Sequence, residues 1–241
     1  MLSKNEVKQV KQLELKKHRT QQGLFVAEGP KVVGDLLRHG FLPRRVFATA
    51  NYEPPISVAL TSVSEDELRK LSFLQHPQQV LAVFPIPASS SIPMPSSLCL
   101  ALDGIQDPGN LGTIIRIADW FGIDDIYCSQ ETVDAWNPKV VQATMGSIAR
   151  VRVSYVDLPA LLSKTQLPVY GTLLDGENIY SQELTPDGII VMGNEGNGIS
   201  SAVRPLVNHR LFIPNYRQGD AAESLNVSVA TAITCAEFRR R

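Results

Sequence analysis

The chain has 241 residues, 44 % hydrophobic and 20 % charged, with a formal net charge of −1 at pH 7. That length makes one large domain or two modest ones, and that composition buries a core rather than staying disordered. Near-neutral charge speaks against a uniformly basic nucleic-acid binder. No stretch reaches the roughly 20 apolar residues of a membrane span, and the polar run Lys4 to Thr20 is unlike a secretory signal. A soluble, cytoplasmic protein without membrane contact is expected.

The charge is unevenly spread. Lys4, Lys8, Lys11, Lys16, Lys17 and Arg19 face only Glu6 and Glu14 near the start, and Arg239, Arg240 and Arg241 close the sequence. Local patches of this kind can hold phosphate in a neutral protein, and solvated ends have the same composition. Cys99, Cys128 and Cys235 lack metal-ligand spacing and read as reduced core residues. His18, His39, His76 and His209 are scattered, so no metal site is expected.

In chain order, the spacing of Val7, Val10, Leu13 and Leu15 predicts one amphipathic helix over 4–18. Leu24 to Ala27 reads as a strand and Pro30 to His39 as a helix, with Pro at its start and Gly40 past its end. Val46 to Ala50 suits a strand, and Ser64 to Leu74 a helix capped by Ser64 with Glu67 three residues on. Gln79 to Phe84 completes a small α/β unit over 1–84. Residues 85–97, with four prolines and five serines, read as a linker.

Residues 98–241 repeat a strand-then-helix pattern. Strands are expected at Leu98 to Leu102, Ile126 to Cys128, Arg152 to Val156, Val169 to Leu173 and Gly188 to Met192. Helices are expected at Leu111 to Trp120, from Lys139 to Met145, at Pro159 to Thr165 and from Ser224 to Phe238. Short apolar runs alternating with helices predict a parallel sheet covered on both faces.

Three motifs carry candidate chemistry. In the first, Asp103 to Arg116, a Gly/Pro/Asn-rich loop opens into a helix bearing Arg116, whose planar, permanently charged fork suits phosphate or carboxylate. Asn110 is placed in that loop, and because it lies six positions from Arg116 the loop must turn it back toward a site. A plain turn with Arg116 reaching to water is the competing reading, and Asp103 is either a loop-capping or a functional carboxylate. In the second motif, an apolar strand runs into Gly193, Gly196 and Gly198, where open α/β sheets bind ligands. Its spacing matches neither the dinucleotide fingerprint nor a phosphate loop, which disfavours an ordinary nucleotide-binding enzyme. A tight turn without ligand is the alternative. In the third, Pro214 ends a strand and Ser224 reads as the N-cap of the last helix, with Asn226 in its first turn. Simple capping explains these residues equally well.

Taken together, the three motifs resemble the signature of the SpoU/TrmH branch of the SPOUT RNA methyltransferases. Asn110, Gly112 and Arg116 match the first family motif, Gly193-Asn194-Glu195-Gly196 with Gly198 the second, and Ser224-Leu225-Asn226-Val227-Ser228 the third. Gly23 to Gly29 is similar to the start of the family's N-terminal substrate-binding domain, of ribosomal L30e type. The resemblance implies an α/β fold in which a small L30e-like domain precedes a parallel-sheet methyltransferase domain tied in a trefoil knot. It implies S-adenosylmethionine as cofactor, held by Thr172, Leu173, Gly193, Asn194, Gly196, Gly198, Ile213, Pro214 and Leu225. It also implies a homodimer, a structured ribosomal or transfer RNA as substrate, and methyl transfer to a ribose 2'-hydroxyl. Arg116 would be the central catalytic residue, with Asn110, Glu195, Ser224 and Asn226 orienting ribose, phosphate and Arg116. An arginine is a poor base, so phosphate positioning ranks ahead of proton abstraction. The nine residues Asn215 to Glu223 exceed the family's usual length, and Asn215 replaces a common Met; adenine pocket or substrate access is the place this would show. A non-catalytic RNA-binding protein and a base-modifying SPOUT enzyme are the alternatives.

Overall fold

The structure, a computed structural model, describes residues 2–88, 92–220 and 222–240. Its elements run α1 (Lys4–Gln12), α2 (Lys16–Gln22), β1 (Leu24–Glu28), α3 (Pro30–Arg38), β2 (Arg45–Ala48), β3 (Thr61–Ser62), α4 (Glu65–Leu71) and β4 (Val80–Pro85). Then come β5 (Cys99–Asp103), α5 (Pro108–Trp120), β6 (Asp125–Cys128), α6 (Pro138–Ala143), β7 (Arg152–Tyr155) and α7 (Leu158–Leu162), followed by β8 (Val169–Asn178), β9 (Ile189–Gly193), β10 (His209–Phe212) and α8 (Val227–Arg240). Two compact units result: Met1–Ser90 with Asp134–Arg150, and Ser91–Val133 with Val151–Arg241. Within the expected linker, residues 89–91 lie outside the described residues.

The first unit is built on a sheet of order β1-β4-β2-β3. The helix expected over 4–18 is two helices. Ser3 and Glu6 form a capping box that starts α1, while Arg19 ends it by turning inward. With 1 % exposure, Arg19 donates from Nη1 to the carbonyls of Leu13 at 2.8 Å and Glu14 at 2.6 Å, groups that the helix leaves unpaired. Arg19 is therefore not part of a solvated basic patch. The capping box predicted at Ser64 and Glu67 is present on α4.

Residues 134–150, read from the sequence as part of the second domain, pack in this first unit. Asp134 accepts from Arg19 Nη2 at 2.6 Å and Nε at 2.9 Å. The Trp136 ring centres 4.5 Å from that of Phe25, so Trp136 is a packing residue. At the far end, the buried Asp35 carboxylate pairs with Arg38 at 2.6 Å, Lys31 at 3.6 Å and Arg150 at 3.8 Å. Gly146, at φ 98°, passes so close that a Cβ would meet Asp35 Oδ2 at 2.2 Å.

The second unit holds a six-stranded sheet of order β10-β8-β9-β5-β6-β7 with every pair parallel, as the apolar runs predicted. Every residue of the central strands β5 and β9 is buried. One core layer joins Ala101, Val191 and Tyr127 to Leu158 and Leu162 of α7. Helix α5 begins at Pro108, because Asp107 caps it by accepting from Asn110 N at 2.8 Å. Asn110 thus sits in the first turn, not in the loop. Helix α8 begins at Val227, three residues later than expected, so Ser224 is not its N-cap. That role falls to Asn226, whose Oδ1 accepts from Ser228 N at 2.9 Å. All three cysteines are free and buried, and burial pushes the Cys99 and Cys235 thiols up to about 12 and Cys128 higher still, which makes them inert. Among the described residues no helix is long and apolar enough to cross a membrane.

Candidate active site

The register of the two central strands creates the site. Asp103 at the end of β5 pairs with Gly193 at the end of β9, so the first and second motifs leave the sheet side by side. Beyond Gly193 the chain doubles back, with Asn194 and Gly198 exchanging two backbone hydrogen bonds of 2.9 Å. Asn194 ties this loop down: its Oδ1 accepts from Gly196 N at 3.0 Å and Asn197 N at 2.9 Å, and its Nδ2 donates to the Gly104 carbonyl at 2.7 Å. Asp103, 7 % exposed, accepts from Ser200 N at 2.7 Å. Its role is to hold the loop, which decides the choice that spacing left open. A Cβ on Gly193 would stand 2.3 Å from both Gly198 C and Ile199 N, so the hairpin closes only over glycine.

A hydrogen-bond chain then links all three motifs. Glu195 Oε1 accepts from Asn110 Nδ2 at 3.0 Å and Asp107 N at 3.3 Å, and Oε2 from Gln106 N at 3.3 Å. Asn226 Nδ2 donates to Asn110 Oδ1 at 2.9 Å, while Asn226 Oδ1 accepts from Ser228 Oγ at 2.6 Å and Ser228 N at 2.9 Å. A carboxylate can only accept, so Asn110 must turn its amide nitrogen to Glu195 and its oxygen to Asn226. Each amide has one orientation that satisfies its neighbours. Burial raises the Glu195 pKa, but the donors, Asn110 foremost, outweigh it and hold the carboxyl below its ordinary value. Glu195 is an anchored anion whose lone pairs are engaged, an orienting group rather than a free base.

Beside this chain opens a cleft of about 930 Å³, lined by Thr172 and Leu173 of β8, Gly193 to Gly198, Ile213, Pro214, Ser224 and Leu225. These include every residue expected to hold a cofactor. They come from four separate stretches and meet because β8, β9 and β10 are neighbours that all end on one side.

Residues 97–236 match the SpoU rRNA Methylase family. The chain belongs to that family. Residues 4–82 match the MRM3-like substrate binding domain. The chain is 32 % identical to the 23S rRNA (guanosine(2553)-2'-O)-methyltransferase RlmP of Bacillus subtilis, over 97 % of this chain and 95 % of that one. Among solved structures it is similar to a TrmH-family protein from Porphyromonas gingivalis, with TM-score 0.89, 39 % identity, and coverage of 100 % of this chain and 99 % of that one. It is also similar to an AdoMet-bound rRNA methyltransferase from Sinorhizobium meliloti, with TM-score 0.86, 30 % identity, and coverage of 100 % and 96 %.

In this SpoU-family chain the expected catalytic residues do not all converge. Asn110, Glu195 and Asn226 form one hydrogen-bonded chain, and Ser224 lines the cleft with Glu195. Arg116 stands apart: it is exposed, does not line the cleft, and has no hydrogen bond or ion pair among the described residues. Six residues advance a helix by about 600°, so Arg116 projects from a different face of α5 than Asn110. Spacing missed other cleft residues. Asp175 and Arg204 line it and pair at 2.5 Å, with Arg210 at 3.3 Å from the same carboxylate. The Arg204 hydrogen bond holds the Asp175 carboxyl below its ordinary range. Asp175 and Arg204 belong to no motif and have the whole glycine loop between them; they meet because the chain returns past β8 before pairing with it as β10. The long loop after Pro214 forms one wall of the cleft through Asn215, Tyr216, Arg217, Ala222 and Glu223. Asn215 Oδ1 accepts from Arg217 N at 2.9 Å, and Arg217 Nε donates to the Asp220 carbonyl at 2.9 Å. Its Ala221 lies outside the described residues.

Proposed function

We propose that the chain is an S-adenosylmethionine-dependent RNA methyltransferase that modifies a ribose 2'-hydroxyl of ribosomal RNA. The observation that carries this reading is the convergence of Asn110, Glu195 and Asn226 on one hydrogen-bond chain at the cleft. Two of the relatives named above, matched over 97 % and 100 % of this chain, are rRNA methyltransferases, which supports ribosomal over transfer RNA.

The cleft fits the cofactor. Its volume lies within the range of small-ligand pockets, about 300–1,000 Å³, and Gly193, Gly196 and Gly198 let a ligand approach the backbone along its wall. The residues to hold the cofactor are Thr172, Leu173, Gly193, Asn194, Gly196, Gly198, Ile213, Pro214 and Leu225. S-adenosylmethionine supplies an electrophilic methyl group on a positive sulfur, so the displacement calls for no metal. The protein's task is alignment of a weak oxygen nucleophile, whose proton passes to water as the oxygen takes the methyl group. Ser224 and Asn226 orient the ribose, and Glu195 fixes Asn110 and Asn226 in single orientations. Arg116 holds the RNA phosphate and stabilises charge, a role its permanent cation suits better than proton abstraction.

Because Arg116 lies on an exposed face of α5, with Trp120 at 85 % exposure one turn on, we place it at a homodimer interface, where it serves the cleft of the second copy. The 1–84 domain, of L30e type, reads the structured RNA, and the loops after β8, β9 and β10 form a trefoil knot whose residues would hold the cofactor. The protein acts in the cytoplasm. Labelled S-adenosylmethionine, purified protein and ribosomal subunits from cells lacking the gene should give labelled, alkali-resistant dinucleotides from ribosomal RNA. Methylation of a base, or no methylation of ribosomal RNA, would overturn the proposal.

A further inference from the structure

Helices α5 and α8 run parallel and are fastened at both ends. At their starts Asn226 Nδ2 donates to Asn110 Oδ1 at 2.9 Å. At their far ends Arg239 reaches back to α5: Nε donates to the Phe121 carbonyl at 2.8 Å and Nη2 to the Gly122 carbonyl at 2.9 Å. The end of α5 is shaped to receive it. Gly122, at φ 62°, turns the chain, Gly122 N bonds Asp119 O at 3.2 Å, and Ile123 N bonds Ala118 O at 2.8 Å. This closes the helix but leaves the Phe121 and Gly122 carbonyls facing out. Helix α5 carries no basic residue in its own last turn. The cation that suits a helix C-terminus comes from α8 instead.

The fork of Arg239 is the reason for arginine here. Two diverging N–H groups meet two successive carbonyls, a match that a single ammonium cannot make. Between this clamp and the Asn110–Asn226 bond lies the stretch of α5 that bears Arg116; core packing of Leu111, Ile114, Ile115 and Ala118 seats the helix, and the clamp fixes its far end on α8.

We propose that Arg239 is a positioning residue for the methyl-transfer site. From about 16 Å along the helix, it sets α5 on α8 so that Asn110 meets Asn226 and Glu195 and Arg116 stands at its working height. This rests on the functional reading above.

The test uses the full-length protein. Arg239→Ala should lower the turnover of methyl transfer by about tenfold while the Kd for S-adenosylmethionine changes less than about twofold, since no cleft residue lies on α5. Arg239→Lys should recover part of the rate. In an Asn226→Ala background, where the front contact is already gone, Arg239→Ala should cost little more. The same tenfold loss in both backgrounds, or unchanged turnover, would overturn the proposal. Amide hydrogen exchange gives a reading free of activity: Arg239→Ala should speed exchange at 108–113 as well as at 117–123. Acceleration confined to 117–123 would also overturn it. If the wild-type protein methylates no RNA, the functional reading fails, and exchange at 108–113 still decides the clamp.

Discussion

Glu195 is held by two backbone N–H groups and the Asn110 amide, so its charge is structural before it is chemical. Glu195→Gln keeps the shape but turns an NH2 toward one of those donors. Methyl transfer should fall by about ten- to a hundredfold, the cost of misplacing polar groups in a preorganised site; wild-type turnover would count against the role. The pH dependence follows in sign. A carboxyl held below its ordinary 4.5 contributes in its charged form above that value and loses the contribution as pH falls through the lowered one. The acid limb of kcat/KM governed by Glu195 should therefore lie below the ordinary carboxylate range and vanish in Glu195→Gln. Gly193 is the second test at this scale. With 2.3 Å to the facing backbone, Gly193→Ala forces the hairpin open and should weaken S-adenosylmethionine at least about tenfold by calorimetry. Unchanged affinity would show that the hairpin does not shape the cleft.

Elements show where local rules hold and where packing overrides them. Ser3 with Glu6, and Ser64 with Glu67, start helices by capping boxes whose residues lie three apart, so spacing alone reveals the second. The break after Gln12 has no such signature. It depends on Arg19 finding two carbonyls behind it and Asp134, more than a hundred residues ahead. That pair, with side chains 2 % and 13 % exposed, also fastens residues 134–150. Asp134→Ala strands a buried cation and should lower the unfolding free energy by about 3 kcal/mol in urea titration. A loss within about 0.5 kcal/mol would mean that solvent reaches Arg19.

At the scale of the whole molecule, Arg116 is exposed and lies outside the cleft lining of its own copy. Arg116→Ala should abolish methyl transfer and leave S-adenosylmethionine binding intact. If a second copy completes the site, mixing Arg116→Ala with Gly193→Ala subunits rebuilds one intact site in each mixed dimer. Random exchange should then restore about a quarter of wild-type activity. No recovery after verified exchange would mean that each copy uses its own Arg116.

The amino-acid sequence by itself determined the strand-and-helix order, the parallel sheet and the three motifs. Apolar periodicity, capping pairs and glycine runs act within a few residues of themselves and need no partner. Its errors lay where elements begin, break or pack, the helix over 4–18 being two. Asn110 proved to be inside α5, Ser224 three residues ahead of α8, and 134–150 part of the first unit. Each was set by a contact distant in sequence or by which of several capping residues won. Tertiary structure alone decided that Asp103 holds a loop, that Asp175 and Arg204 share the cleft, and that Arg239 clamps α5. Those facts depend on strand register and helix direction, which bring together side chains that no spacing relates.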